Sequence, residues 1–217
     1  MTSTTTQATA RSMPSPLRYD LKIWLASRGR EGAFRERQLD LAHVTVGESV
    51  LDVGCGTGTL AIAAARRVGE TGSVTGVDPS PELLARAGKK ARRAHMPVTF
   101  ETAGGESLPF PDASFDVVLS SLVLHHLPHA ALRSSALEMR RVLKPGGRLL
   151  VVDIGGPQDD GKRTMHAPHG DHVRFDLDAV AERLPDHGLA VIETGPIESR
   201  MRRLERLRYV LARASPE

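Results

Sequence analysis

The sequence predicts an α/β fold: a mainly parallel sheet covered by helices on both faces. Three observations carry this. From residue 49 onward, short apolar runs alternate with helical stretches, the pattern of successive βαβ units. Runs such as Val117-Val118-Leu119 are continuously apolar, as burial on both faces requires. The first strand runs directly into a glycine-rich loop that opens a helix. In such sheets ligands sit beyond the carboxyl ends of the strands, so chemistry is sought just after each one.

The elements follow in order. Residues 1–16 are rich in Thr, Ser and Pro, lack apolar periodicity, and read as a disordered leader. Residues 17–26 and 33–44 read as two helices. The second sets Phe34, Leu39, Leu41 and Ala42 against Arg35, Glu36 and Arg37 on its wet side. Strands are expected over 49–53, 73–77, 98–101, 115–120 and 147–153, and again over 189–194 and 208–212. Helices are expected over 60–68, 81–93, 130–143 and 178–187. Ser80, Pro81 and Glu82 give the helix over 81–93 its N-cap, first-turn proline and dipole-matched acid. Lys144-Pro145-Gly146 is expected to stop the helix over 130–143.

Composition narrows the classes. The chain has 217 residues, enough for one domain with a tail. At 40% hydrophobic and 25% charged it is not a disordered chain. The balance of 29 Lys and Arg against 26 Asp and Glu gives +3, too mild to single out nucleic acid as the partner. One cysteine excludes an intrachain disulfide and a thiol-rich zinc site, so no metal is expected. No apolar run approaches the ~20 residues of a membrane span, and no signal peptide is visible. The expected location is the cytoplasm.

The loop after the first strand reads Leu51-Asp52-Val53-Gly54-Cys55-Gly56-Thr57-Gly58-Thr59. Glycines at 54, 56 and 58 permit tight turning and close approach of backbone to a ligand. The spacing is G-x-G-x-G, whereas a dinucleotide site needs a third glycine or alanine where Thr59 stands. Asp52, at the strand end, suits a cationic ligand group better than a pyrophosphate. Asp78 ends the second strand twenty residues past Gly58, where a carboxylate can accept both hydroxyls of a ribose. Pro79 and Leu83 would offer an apolar surface to a base. The plain alternative is that Asp78 caps the next helix and the glycines only turn the chain.

VLDVGCGTG and VTGVDPSPELLARA resemble the first two motifs of class I S-adenosylmethionine-dependent methyltransferases. ESLPFPDASFDVVLSSLVLHHL and RRVLKPGGRLLVVD resemble the downstream motifs. The nearer likeness is to the ubiquinone/menaquinone biosynthesis and type-11 branch, and it covers residues 50–153. It implies a Rossmann-like seven-stranded sheet with an antiparallel last strand, and S-adenosylmethionine as cofactor. The glycines, with Cys55 among them, would wrap the methionine end, with Asp52 holding its ammonium and Asp78 the ribose. Pro79, Gly104, Gly105 and Glu106 would line the adenosine. Relatives carry an Asp for the adenine amino group where Gly104 stands, so Glu106 or the Gly105 amide must replace it. Ser120 and Ser121 would lie beneath the transferred methyl. The implied domain spans 17–217, with lid helices over 17–44, a cofactor core over 45–153 and a substrate-side loop and last strands over 154–217.

Methyl transfer needs alignment, and a base if the acceptor must lose a proton. His126 and His125, after the fourth strand, are the base candidates. Tyr19, Asp153, His169 and Arg174 are candidates for substrate contact. Trp24 reads as ordinary helix packing. The His-rich loop over 166–172 matches no metal-ligand spacing. Cys55 belongs to the glycine loop, so no cysteine is available as a nucleophile. The loop SSLVLHHL lacks the motif of amino-group methylation on bases or glutamine. The expected acceptor is a carbon, oxygen or nitrogen of a small molecule, of quinone-like, phenolic or lipid type. Residues 196–217 hold six arginines against three glutamates, net +3, which leaves open RNA or peripheral membrane contact. Non-methylating use of the cofactor and the oligomeric state stay open as well.

Overall fold

A computed structural model describes residues 31–155, 175–197 and 206–215. Helix α1 (Glu31–Leu41) leads to β1 (Ser49–Val53), α2 (Thr59–Val68), β2 (Ser73–Asp78), α3 (Pro81–Arg93), β3 (Thr99–Thr102) and β4 (Phe115–Ser121). A single 3-10 turn (Leu124–His126) precedes α4 (His129–Val142), β5 (Leu143–Ile154), α5 (Leu177–Arg183), β6 (Leu189–Pro196) and β7 (Leu207–Ala214). The seven strands form one sheet in the order β3-β2-β1-β4-β5-β7-β6. β3, β2, β1, β4 and β5 run parallel to one another, while β7 runs antiparallel to both β5 and β6. The mainly parallel sheet with an antiparallel last strand is therefore present.

Two apolar layers sandwich the sheet. On one face Val50, Val117, Leu119 and Val152 pack with Leu39 of α1 and Leu60 and Ala64 of α2. On the other, Leu51, Val53, Val118 and Val151 pack with Met139 and Val142 of α4 and Leu177 of α5. Strand residues thus alternate between the two layers, as a pleat requires.

Three boundaries differ from expectation by three residues or more. Helix α1 ends at Leu41 rather than 44. Helix α5 ends at Arg183, and Pro185–His187 make a separate 3-10 turn because proline withholds an amide from the helix. Helix α4 ends at Val142, and β5 begins at once. Leu143 is already extended and pairs with Phe115, and the following Lys-Pro-Gly-Gly lies within an irregular stretch of the ladder before Arg148 pairs with Val117. Gly146, at φ 75°, supplies the left-handed backbone there.

Chain order reverses direction across the sheet between β1 and β4. Their carboxyl ends, Val53 and Ser120, lie side by side. This switch point sets the place of the candidate site.

Candidate active site

The loop leaving β1 is built from left-handed glycines: Gly54, Gly56 and Gly58 have φ of 74°, 54° and 76°. Side-chain-bearing residues would be strained at all three. The amides of Gly54 and Cys55 both donate to Val77 O of β2, at 2.8 and 2.9 Å. The Gly56 amide donates to Asp78 Oδ2 at 2.9 Å. A Cβ on Gly54 would collide with the Val123 side chain, so the glycine lets the turn after β4 press against the loop. The Cys55 Sγ lies 2.9 Å from where a Cβ of Gly76 would stand, packed behind the loop against β2. Burial pushes its thiol pKa far up.

Asp52 is 2% exposed. Its Oδ2 has no hydrogen-bond partner among the described residues. Burial raises its pKa to about 7, against the pull of the Arg35 guanidinium. Arg35 and Gln38 of α1 reach the same end of the sheet. Arg35 Nη1 and Gln38 Nε2 each donate to Ser121 Oγ at 3.1 Å. Arg35 Nε and Gln38 Oε1 are buried and lack partners among the described residues. Arg35 therefore does not lie on a wet face. Sequence reasoning missed both residues. The available signal was position, since they stand beside the buried Phe34 and Leu39 rather than opposite them.

Asp78 is 6% exposed and holds two backbone amides, that of Gly56 on Oδ2 and that of Ser80 on Oδ1 at 2.9 Å. The capping role falls instead to Ser80, whose Oγ accepts the Leu83 amide at 3.3 Å. Pro79 is exposed, whereas Leu83 is buried in α3. The Glu106 carboxylate lies over Gly104, where its oxygens stand 2.6 Å from the position of an absent Cβ. An acidic group thus occupies the space beside Gly104 even though that residue has no side chain. Gly105 packs against Val53 and against Ser135 of α4, a further residue sequence reasoning missed.

Ser120 and Ser121 separate onto opposite faces of the sheet. Ser121 follows Leu119 onto the α1 side and is held by Arg35 and Gln38. Ser120 follows Val118 onto the α4 side, and its buried Oγ has no partner among the described residues. The next residue, Leu122, is left-handed at φ 63° and swings the chain over the switch point. The turn that follows brings His125 to β5, where its Nδ1 lies 2.6 Å from Asp153 Oδ1. The His126 ring lies against it, with centroids 3.9 Å apart. His126 is exposed, and partial desolvation of its ring together with the neighbouring His125 lowers its pKa.

Tyr19, Trp24, His169 and Arg174, the loop over 166–172, and Arg200, Arg202 and Arg203 lie outside the described residues. Among the described residues no group of three or more His, Cys, Asp or Glu is arranged to hold a metal. None of their helices is long and apolar enough to cross a membrane.

Comparison with known proteins bears on this site. Residues 50–147 match the family described as methyltransferase domain. The chain is 38% identical over 141 residues to a demethylmenaquinone methyltransferase of Tropheryma whipplei, covering 64% of this chain and 56% of that protein. It is 40% identical over 148 residues to a ubiquinone/menaquinone biosynthesis C-methyltransferase of Paraburkholderia phymatum, covering 67% and 59%. It thus spans less than two thirds of the length of these relatives. A SAM-dependent methyltransferase of Aquifex aeolicus superposes with a TM-score of 0.72 at 23% identity, over 93% of this chain and 100% of that one. The [4+2]-cyclase SpnF superposes at 0.70 and 22% identity, over 86% and 81%. At these identities the two structures speak to fold.

Proposed function

We propose that the chain is a class I S-adenosylmethionine-dependent methyltransferase that methylates a small quinone-like or phenolic acceptor, on the premise that residues 50–147 match the methyltransferase domain family. The observation that carries the reading is Asp52 Oδ2, a buried acceptor without a partner among the described residues, beside three left-handed glycines. A buried carboxylate oxygen of this kind is costly unless a ligand satisfies it, and a primary ammonium would. Bare glycine backbone next to it suits close contact with a small polar ligand.

The residues present therefore fit the cofactor. Asp52 would hold its ammonium and Arg35 its carboxylate. Asp78 retains free lone pairs on both carboxylate oxygens for ribose hydroxyls while holding the Gly56 amide in place. Glu106 and the Gly105 amide would read the adenine. When bound, the cofactor supplies an electrophilic methyl group. The chain's own task is alignment: Ser121 ties α1 to the end of β4, and Leu122 turns His125 and His126 toward the same crevice.

Calorimetric titration with S-adenosylhomocysteine tests the cofactor reading, and absence of binding would overturn it. The acceptor class is tested by incubation with S-adenosylmethionine and short-chain demethylmenaquinol, simple phenols and lipids. The expected result is a product heavier by one methyl from the quinol or a phenol. Conversion of the cofactor-bound mixture without a methyl gain would favour non-methylating chemistry.

A further inference from the structure

We propose that His125 is the proton acceptor of the reaction and that Asp153 is its positioning residue rather than a substrate contact. The inference rests on the methyl-transfer reading above. Asp153, next to last in β5, is fully buried. Both oxygens of its carboxylate are turned to its own neighbours. Oδ1 accepts from His125 Nδ1 at 2.6 Å and from the Ile154 amide at 2.8 Å, and Oδ2 accepts the His125 amide at 3.3 Å.

An ionised carboxylate only accepts hydrogen bonds. It therefore fixes the ring hydrogen on Nδ1 and leaves Nε2 with the lone pair. Holding both the backbone and the ring of one residue fixes the turn and the ring plane together. This is the nucleophile-free half of a base–orienter pair. Among the described residues no carboxylate bonds the His126 ring, which lies tilted against His125. The Phe175 ring meets His125 edge-on, with centroids 6.3 Å apart. Val123, two residues earlier, presses on Gly54, so the turn abuts the glycine loop. The charged groups facing the pair are His126 from the same turn and the Arg208–Asp178 ion pair of β7 and α5. Arg208 is Asp153's cross-strand partner.

The pair narrows the acceptor class to one that must shed a proton of modest acidity, a phenol or quinol hydroxyl. In the step, an electron pair of the acceptor bonds to the methyl carbon as the pair of the broken methyl–sulfur bond stays on sulfur. The hydroxyl proton passes to His125 Nε2, and the imidazolium returns it to solvent.

The test uses the full chain with S-adenosylmethionine and short-chain demethylmenaquinol. Nitrogen-15 NMR of the wild-type His125 ring is expected to show the hydrogen on Nδ1. Asp153→Asn is expected to lower kcat about 100-fold and to distort its pH profile, while S-adenosylhomocysteine affinity stays within twofold. His125→Ala, at a partly exposed site, should lose a similar factor and the acid limb of that profile. A wild-type ring carrying its hydrogen on Nε2 would overturn the proposal. So would an Asp153→Asn or His125→Ala variant that binds S-adenosylhomocysteine and keeps kcat within threefold. Failure of the wild-type chain to bind S-adenosylhomocysteine would instead bring down the methyl-transfer reading, and this proposal with it.

Discussion

The two ends of the central sheet treat buried polarity in opposite ways. At the amino end, Asp116 receives the Ser49 amide at 2.9 Å and both its oxygens accept from Lys144 Nζ, at 2.9 and 2.8 Å. Arg148 donates to the carbonyls of Ala42 and His43 and to Glu48. At the carboxyl end, Asp52, Arg35, Gln38 and Ser120 each keep a buried polar atom without a partner among the described residues. Each such atom costs about 1–3 kcal/mol. One strand, β1, joins both ends: its first amide is bound to Asp116, and Asp52 near its end is left open. The amino end is satisfied within the fold, and under the proposed function the carboxyl end is completed by a ligand.

Mutation can break that contrast. The largest effect is expected from Asp52→Asn, which should weaken S-adenosylhomocysteine binding about 100-fold, or ~2.7 kcal/mol, by calorimetry. Its melting temperature should hold or rise, because a buried carboxylate with one oxygen unpartnered among the described residues is neutralised. Arg35→Gln should weaken the same binding about tenfold and leave the fold intact. Acidification is the third lever. Burial raises the Asp52 pKa from 3.8 to about 7, so the folded chain holds this proton more tightly than the unfolded chain. Its contribution to stability therefore falls as pH rises from about 4 to about 7. A ligand ammonium selects the carboxylate, so affinity should fall as pH drops below about 7, approaching tenfold per unit, and Asp52→Asn should flatten that slope. The smallest effect belongs to the other end: Asp116→Asn should cost about 1 kcal/mol of stability in denaturant melts and leave affinity unchanged. An Asp116 variant that lost affinity, or an Asp52 variant that lost stability, would erase the distinction between the ends.

Much of the fold was legible because strands such as Val117-Val118-Leu119 are apolar on both faces and helices such as α3 carry their own cap. The glycine loop and Asp78 were legible because residue type alone restricts what such backbone can do. The Arg35 and Gln38 contribution was not, since an arginine on an amphipathic helix looks like a solvated face until the helix is docked. Nor was the role of Asp153, which depends on a pairing 28 residues distant across β4 and β5. The start of β5 at Leu143 was hidden by Lys-Pro-Gly-Gly, a sequence that reads locally as a turn and is drawn into the sheet by pairing with Phe115.

The packing of Cys55 against Gly76 has a practical consequence. The chain has a single cysteine, and its thiolate is strongly disfavoured where it stands. A thiol-specific reagent added to the native protein is therefore expected to react slowly, and loosening of the glycine loop from β2 is expected to raise the rate. Following that rate reports how firmly the loop is held, with no engineered label.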